Sequence, residues 1–187
     1  MGKIVCLINV TADGFCDSHY VIADAEFHEF VHGLLAAAET VGFGRGAFEL
    51  FQGVWPPLLE HPGKPEPQVR MAQALHNKEK MAFSTTLKAV SWANSRIVRE
   101  VDAELLARYK EGAKGLLTIG SPGLVASLTA MGVVDEYYFS VQPVIAGGGN
   151  VRLFDKLRLE TRQPLQFVGA TQLGTGVNIL RYTTGRA

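Results

Sequence analysis

Residues 116–149 have the sequence LLTIGSPGLVASLTAMGVVDEYYFSVQPVIAGGG, in which a buried strand meets an amphipathic helix at a glycine turn. The apolar run 116–119 is typical of a strand, and Gly120 and Gly123 let the backbone approach a ligand closely. Residues 133–141 are expected to return as a second strand. Because free N–H groups at a helix N-terminus attract anions, this strand-helix-strand unit predicts a phosphate site, although it lacks the GxGxxG spacing.

Composition narrows the class of ligand. The chain has 187 residues, with 18 basic and 18 acidic side chains and a formal net charge of zero. A single domain over 1–187 is the expected organisation, and this charge balance argues against nucleic acid or a membrane as partner, leaving a small molecule. Cys6 and Cys16 form no CxxC pattern, and the sequence shows no secretory or membrane-spanning stretch. We therefore expect a reduced, cytoplasmic protein.

The remaining segments alternate between strand and helix patterns and predict an α/β fold. Strands are expected at 3–10, 40–44, 80–84 and 95–98, and helices at 25–38, 46–51 and 102–110. A terminal antiparallel hairpin is expected over 165–170 and 177–182. This order predicts a mixed, mostly parallel central sheet flanked by helices.

The Pro-rich stretch 53–67 is typical of a surface loop, and its position suggests that it covers a cleft. Trp55 lies within it. That ring is a candidate to stack on a planar substrate, with anchoring of the loop to the core as the alternative.

Three strand ends carry residues suited to phosphate binding. In open α/β sheets ligands bind beyond the carboxyl ends of the strands, so these ends are expected to converge. A guanidinium group, hydroxyl groups and helix N–H groups together suit the phosphates of a dinucleotide. The predicted cofactor-binding residues are Gly44, Arg45, Ser84, Thr85, Thr86, Gly120, Ser121 and Gly123.

Two carboxylates are the candidate catalytic residues. Asp13 follows the first strand and Asp24 precedes the first helix, so both are expected to border one cleft and to supply or orient a proton. The structural alternatives are an Asp-Gly turn for Asp13 and a helix N-cap for Asp24.

The segment His28-Glu29-Phe30-Val31-His32 matches HExxH, a helical zinc motif. Its apolar residues mark a different helix face, which places the histidines on a solvated flank, and the extended HxxGxxH continuation is absent. We therefore expect no metal site and keep a zinc hydrolase as the weaker alternative.

Five segments carry a family resemblance: NVTADGF (9–15), DAEFHEFV (24–31), VGFGRGAFELF (41–51), FSTTL (83–87) and 119–149. In this order they resemble the reductase family that includes the C-terminal domain of the riboflavin-biosynthesis protein RibD and shares the dihydrofolate reductase fold. The chain lacks a deaminase zinc signature and so resembles a stand-alone member. A catalytically idle nucleotide-binding homodimer is the alternative, since fold does not determine function.

The resemblance implies an NADPH-dependent homodimeric reductase, with NADH as a second candidate cofactor, that transfers hydride to a pteridine, pyrimidine or folate-like heterocycle. It assigns Arg45 to cofactor phosphates, Ser84 and Thr86 to the adenosine side, and Gly120, Ser121 and Gly123 to the pyrophosphate. Two positions depart from the family pattern. Ala47 replaces a Thr, and Thr85 stands where an Arg is common, which removes the natural partner of a 2′-phosphate. Lys88 is a candidate replacement.

Overall fold

The structure is a computed structural model that describes residues 1–60, 63 and 65–185. The strands are β1 (Ile4–Thr11), β2 (Ala38–Gly44), β3 (Glu79–Phe83), β4 (Ser95–Val98), β5 (Gly115–Ile119), β6 (Glu136–Gln142), β7 (Gln166–Gln172) and β8 (Asn178–Thr183). The helices are α1 (Ala25–Ala37), α2 (Arg45–Glu60), α3 (Glu66–Asn77), α4 (Ala103–Glu111) and α5 (Pro122–Ala130), with a 3₁₀ turn at Ser18–Tyr20.

Across the described residues these strands form one eight-stranded sheet in the order β4-β3-β2-β5-β1-β6-β8-β7. The ladders from β4 to β6 are parallel, while β8 runs antiparallel to both β6 and β7. The predicted mixed, mostly parallel sheet with a terminal hairpin is therefore confirmed. Since the parallel strands share one direction, the ends of β2, β3 and β5 meet at one edge.

Both faces of the sheet are covered. On one face α1, α2 and α3 bury Val31, Phe48 and Leu75 against the sheet. On the other, α4 and α5 bury Leu106 and Leu128. The central strands contribute to both cores because successive side chains point to opposite faces. Within the described residues, no helix combines the length and apolar character needed to cross a membrane.

The predicted loop over 53–67 is wrong for its first half, because α2 continues through Pro56 and Pro57 to Glu60. A proline inside a helix costs about 3 kcal/mol. Here Phe48 is fully buried, and Phe51 and Trp55, spaced to share its helix face, pack against the same core. Burial of this aromatic stripe outweighs the proline cost. The remainder of the predicted loop includes His61, Pro62 and Lys64, which lie outside the described residues.

Helix α3 is an element that the sequence analysis missed. Pro65 precedes it, Glu66 occupies its first turn, and Met71, Ala72 and Leu75 form its buried face. A proline at the start and this apolar spacing are ordinary helix signals. The buried Lys80 ammonium, on β3, donates hydrogen bonds to the carbonyls of Leu75, His76 and Lys78 and so caps the end of this helix.

Candidate functional site

Five predicted cofactor residues line one open cleft of about 370 Å³ at the carboxyl ends of the strands. They are Gly44, Arg45, Ser84, Thr85 and Gly123. Thr86 and Ser121 join the same group through hydrogen bonds to Arg45 and Gly44, and Gly120 precedes Ser121 in the chain. The convergence expected from three separate strand ends is present in the structure.

A direct hydrogen bond joins the ends of β2 and β5. The backbone N–H of Gly44 donates to Ser121 Oγ at 2.7 Å. A Cβ at Gly44 would meet Ser121 Cβ at 3.3 Å, so the close approach favours glycine there. Gly120 and Ser121 both have positive φ values, 67° and 61°, a costly conformation for serine. The turn before α5 is therefore held in its shape by the neighbouring strand.

The first turn of α5 offers free backbone donors. The first backbone bond of this helix runs from the Val125 N–H to the Ser121 carbonyl at 3.0 Å, which leaves the N–H groups of Gly123 and Leu124 ahead of it. A Cβ added at Gly120 or Gly123 would meet no neighbouring atom within 4 Å. Together these features form an accessible, electropositive helix start that suits a phosphate.

Arg45 and the Ser84–Thr86 turn form a second polar group in the cleft. The guanidinium of Arg45 donates to Thr86 Oγ1 and Glu49 Oε1, each at 3.0 Å. Ser84 Oγ accepts the backbone N–H groups of Thr86 and Leu87 at 3.2 and 2.9 Å. The turn is therefore rigid, and its hydroxyl groups are presented beside a cation.

Arg99 is a cleft residue that the sequence analysis missed. It follows β4, lines the same cleft, and donates through Nη1 to the carbonyls of Ser84 and Leu87 at 3.0 and 2.7 Å. Among the described residues its Nε and Nη2 atoms have no hydrogen-bond acceptor. The rule that identified the other strand ends would have found it if applied to residues 95–98. Its guanidinium lies against the turn where Thr85 replaces the expected arginine.

Asp13 organises the loop that follows β6. Its carboxylate accepts hydrogen bonds from Ala146 N, Gly147 N and Thr11 Oγ1 at 3.0, 2.8 and 2.7 Å. These bonds, led by that from Ala146, lower the pKa of Asp13 from 3.8 to about 2. Nearby, Asp17 accepts the backbone N–H groups of Asn150 and Val151. The two carboxylates thus fasten the glycine-rich loop to the chain after β1.

Asp24 caps α1, accepting the Phe27 N–H at 2.9 Å. Neither Asp13 nor Asp24 is part of the lining of the phosphate cleft. Their predicted catalytic role remains a prediction. Each carboxylate already has the structural role that was its alternative.

Trp55 lies on α2 and packs against α1. Its ring meets the His28 ring edge-on at 5.7 Å and the Phe51 ring at 6.0 Å. The expectation of a solvated histidine flank is therefore wrong for His28, which is 7% exposed. Burial lowers the pKa of His28. Trp55 lies outside the phosphate cleft, and its role toward a substrate remains a prediction.

The side chains of the HExxH segment contact residues of the neighbouring helices. Glu29 forms an ion pair with Arg70 of α3 at 3.2 Å, and His28 faces Trp55. In the part of the chain that the structure describes, no three His, Cys, Asp or Glu side chains are grouped as a metal site. The segment lies on α1, and its side chains pack α1 against α2 and α3.

The family model for the RibD C-terminal domain matches residues 3–179. The uncharacterized protein YyaP of Bacillus subtilis (strain 168) is 25% identical over 186 residues, covering 94% of this chain and 91% of YyaP. A pyrimidine reductase-like protein from Corynebacterium diphtheriae has the same fold, with a TM-score of 0.64, 11% identity, and coverage of 100% of this chain and 93% of that one.

A second solved structure with this fold is a protein named for two activities, a deaminase and a reductase. It is the diaminohydroxyphosphoribosylaminopyrimidine deaminase/5-amino-6-(5-phosphoribosylamino)uracil reductase of Thermotoga maritima, with a TM-score of 0.67 and 13% identity. The match covers 97% of this chain and 56% of that protein. The family match spans nearly all strands and the whole phosphate cleft, and the chain belongs to the RibD C-terminal domain family.

Proposed function

We propose that this protein is an NADPH-dependent reductase that transfers hydride to a small heterocyclic substrate. The observation that carries the proposal is the cleft in which Arg45, Arg99, the Ser84–Thr86 turn and the free N–H groups of α5 converge. This donor set fits the charge of a dinucleotide, since it combines two guanidinium groups, hydroxyl groups and a helix N-terminus. When bound, the nicotinamide supplies the hydride.

The two ends of the cleft have different tasks in this proposal. The N–H groups of Gly123 and Leu124 hold the pyrophosphate, and the absence of side chains at Gly120 and Gly123 gives it room. Arg45 meets the cofactor phosphates, and Ser84 and Thr86 hold the adenosine side. The Gly44–Ser121 hydrogen bond keeps both parts in register, so the site needs little rearrangement to bind.

Arg99 supports NADPH over NADH. Its Nη1 atom is fixed by two carbonyls of the 84–87 turn, which leaves its other nitrogens to meet a phosphate on the ribose. A guanidinium is the natural partner of that group. Arg99 therefore supplies, from the end of β4, the charge that Thr85 does not supply, and it replaces Lys88 as the candidate.

The proposed substrate class is supported by the relatives of this chain and not by the geometry of the cleft. The pyrimidine reductase-like protein and the uracil reductase named above share this fold, and we propose a pyrimidine, pteridine or folate-like ring as the substrate of this chain. Trp55, on α2, is the proposed ring contact. Free thiols at Cys6 and Cys16 are consistent with the reducing cytoplasm as the proposed compartment.

A homodimer through β7 is the proposed assembly. This strand is the sheet edge, and Phe167 and Val168 are 61% and 48% exposed. These two exposed apolar side chains lie at an irregularity in the β7–β8 ladder, between Phe167 and Gly169. An exposed apolar edge with unpaired backbone groups is a template for pairing with a second strand.

The test is a titration of NADPH and NADH against the fluorescence of Trp55 and Trp92, followed by turnover assays with pteridine, pyrimidine and dihydrofolate substrates. The proposal expects saturable binding with NADPH preferred, and oxidation of NADPH with at least one substrate. No binding of either cofactor at millimolar concentration would contradict it. Binding without turnover of any substrate would favour the idle homodimer.

A further inference from the structure

A second cavity, of about 270 Å³, opens at the amino ends of the parallel strands, opposite the cofactor cleft. It lies among the amino ends of β1, β5 and β6 and beneath the last turns of α1. Its apolar wall consists of Val5, Leu34, Ala37 and Leu117, and its charged wall of Lys3, Lys114, Glu136 and Arg181. None of its lining residues belongs to the dinucleotide cleft, although Glu136 and Tyr138 lie within the family segment 119–149.

The two cavities are separated by the length of β2. Ala38 begins that strand and lines the second cavity, while Gly44 ends it and lines the cofactor cleft. At roughly 3.3 Å per residue the two positions lie about 20 Å apart. A ligand in one cavity therefore cannot touch a ligand in the other.

Glu136 anchors the charged wall and is 4% exposed. It accepts hydrogen bonds from Lys3, from the Arg181 guanidinium at 2.9–3.0 Å, and from the Tyr138 hydroxyl at 3.3 Å. Burial alone would raise the pKa of Glu136, but the hydrogen bonds from Lys3 and Arg181 hold it below its usual value. One buried carboxylate thus faces two cations within the cavity wall.

Lys114 adds a third cation that Glu136 does not neutralise. Its only hydrogen bond among the described residues goes to the Ala36 carbonyl at 3.3 Å, at the end of α1. Three cationic side chains, Lys3, Lys114 and Arg181, thus share the cavity lining with one carboxylate, Glu136. The cavity therefore carries more positive than negative charge.

Arg181 also gives this wall a flat shape. Its guanidinium lies over the Tyr138 ring at 5.6 Å. A guanidinium beside an aromatic ring offers two planar groups that suit contact with a planar ligand. The aliphatic side chains of Val5, Leu34 and Leu117 in the same lining offer an apolar contact.

We propose that this cavity binds a small planar carboxylate, with its ring between the apolar wall and Arg181 and its carboxylate at Lys114. The volume suits a single ring with one substituent, slightly below the usual range of about 300 Å³ or more for drug-sized ligands. This site is independent of the reductase proposal and of cofactor binding.

Benzoate is the probe, and benzamide is its uncharged control. Amide NMR shifts of the intact protein locate the probe, with Gly115 and Leu117 reporting the cavity and Gly123 the cofactor cleft. We expect saturable millimolar benzoate binding with shifts at Gly115 and Leu117, unchanged by saturating NADPH and weaker for benzamide. The affinity should fall as salt rises, because the attraction is electrostatic.

Lys114→Gln is expected to weaken benzoate about three- to tenfold, whereas Lys156→Gln, an exposed lysine outside the cavity, leaves affinity unchanged. Three results would overturn the proposal: no saturable binding, shifts at Gly123 with competition by NADPH, or equal affinity in the Lys114→Gln protein. The shift map of the unmodified protein decides the question even if a variant is poorly folded.

Discussion

The N–H of Gly44 and Ser121 Oγ lie 2.7 Å apart and join the ends of two adjacent parallel strands. This bond sits between the Arg45 side of the cofactor cleft and the helix start at Gly123. It holds Ser121 in a left-handed conformation. We regard it as the contact that aligns the two halves of the proposed phosphate site.

Ser121→Ala removes the acceptor and leaves the Gly44 N–H without its partner. We expect a loss of about 1–2 kcal/mol in the free energy of unfolding, the cost of an unsatisfied, partly buried donor. Ser127→Ala removes only an exposed side-chain bond to the Gly123 carbonyl within the same helix, and it should change stability by less than about 0.5 kcal/mol. Urea denaturation of both variants measures the difference, and equal midpoints would show that the bond contributes nothing.

Arg99→Ala tests the assignment of the 2′-phosphate. If Arg99 meets that group, the variant loses affinity for NADPH by about 1.5–3 kcal/mol while its affinity for NADH barely changes. Parallel fluorescence titrations with the two cofactors give this comparison. An equal loss for both cofactors would assign Arg99 to shaping the 84–87 turn instead.

These residues also show how far the sequence alone reaches. Gly44, Arg45, Ser84 and Gly123 could be predicted because each follows a strand pattern and parallel strands end at one edge. Arg99 obeys the same rule but lies outside every family motif. Its place in the site is evident only from the structure, where its guanidinium donates to the Ser84 and Leu87 carbonyls.

The two wrong predictions, a loop over the first half of 53–67 and a solvated His28, concern residues whose structure depends on contacts distant in sequence. Pro56 and Pro57 indicate a loop when local propensity is considered alone, yet α2 persists because Phe51 and Trp55 pack on the core. The apolar stripe of α1, taken alone, predicts a solvated flank for His28. Its actual neighbour, Trp55, is 27 residues away in sequence, and no local pattern predicts that contact.

The effect of Asp13→Asn on stability should depend on pH. The pKa of Asp13 is lowered from 3.8 to about 2 in the folded chain, so its stabilising effect is complete above pH of about 4. That effect disappears as the pH falls toward 2. The variant should therefore unfold more readily than the parent protein at neutral pH, and the difference should shrink between pH of about 4 and about 2.

Asp24→Asn is the matched control, because asparagine caps a helix as well as aspartate does. Thermal melts at several pH values compare the two variants. A pH-independent difference for Asp13→Asn would exclude its charge as the stabilising feature. The same two variants test the predicted catalytic roles once a substrate is known.

Phe167→Glu tests the proposed dimer. A charge on the exposed apolar edge of β7 should shift the protein toward monomer, because a buried unpaired carboxylate is costly in an interface. Leu50→Glu, which alters an exposed apolar residue of α2, should leave the assembly unchanged. Sedimentation velocity reports both. A Phe167→Glu protein that sediments like the parent would place the interface elsewhere or exclude it.

The most direct test of the central claim is the affinity of the unmodified protein and of its Arg45→Ala variant for NADPH. The account predicts saturable binding to the unmodified protein and a loss of about 1.5–3 kcal/mol in the variant, since Arg45 provides a charged hydrogen bond to a phosphate. Equal affinities would contradict the assignment of Arg45. Failure of the unmodified protein to bind NADPH at all would contradict the dinucleotide cleft itself.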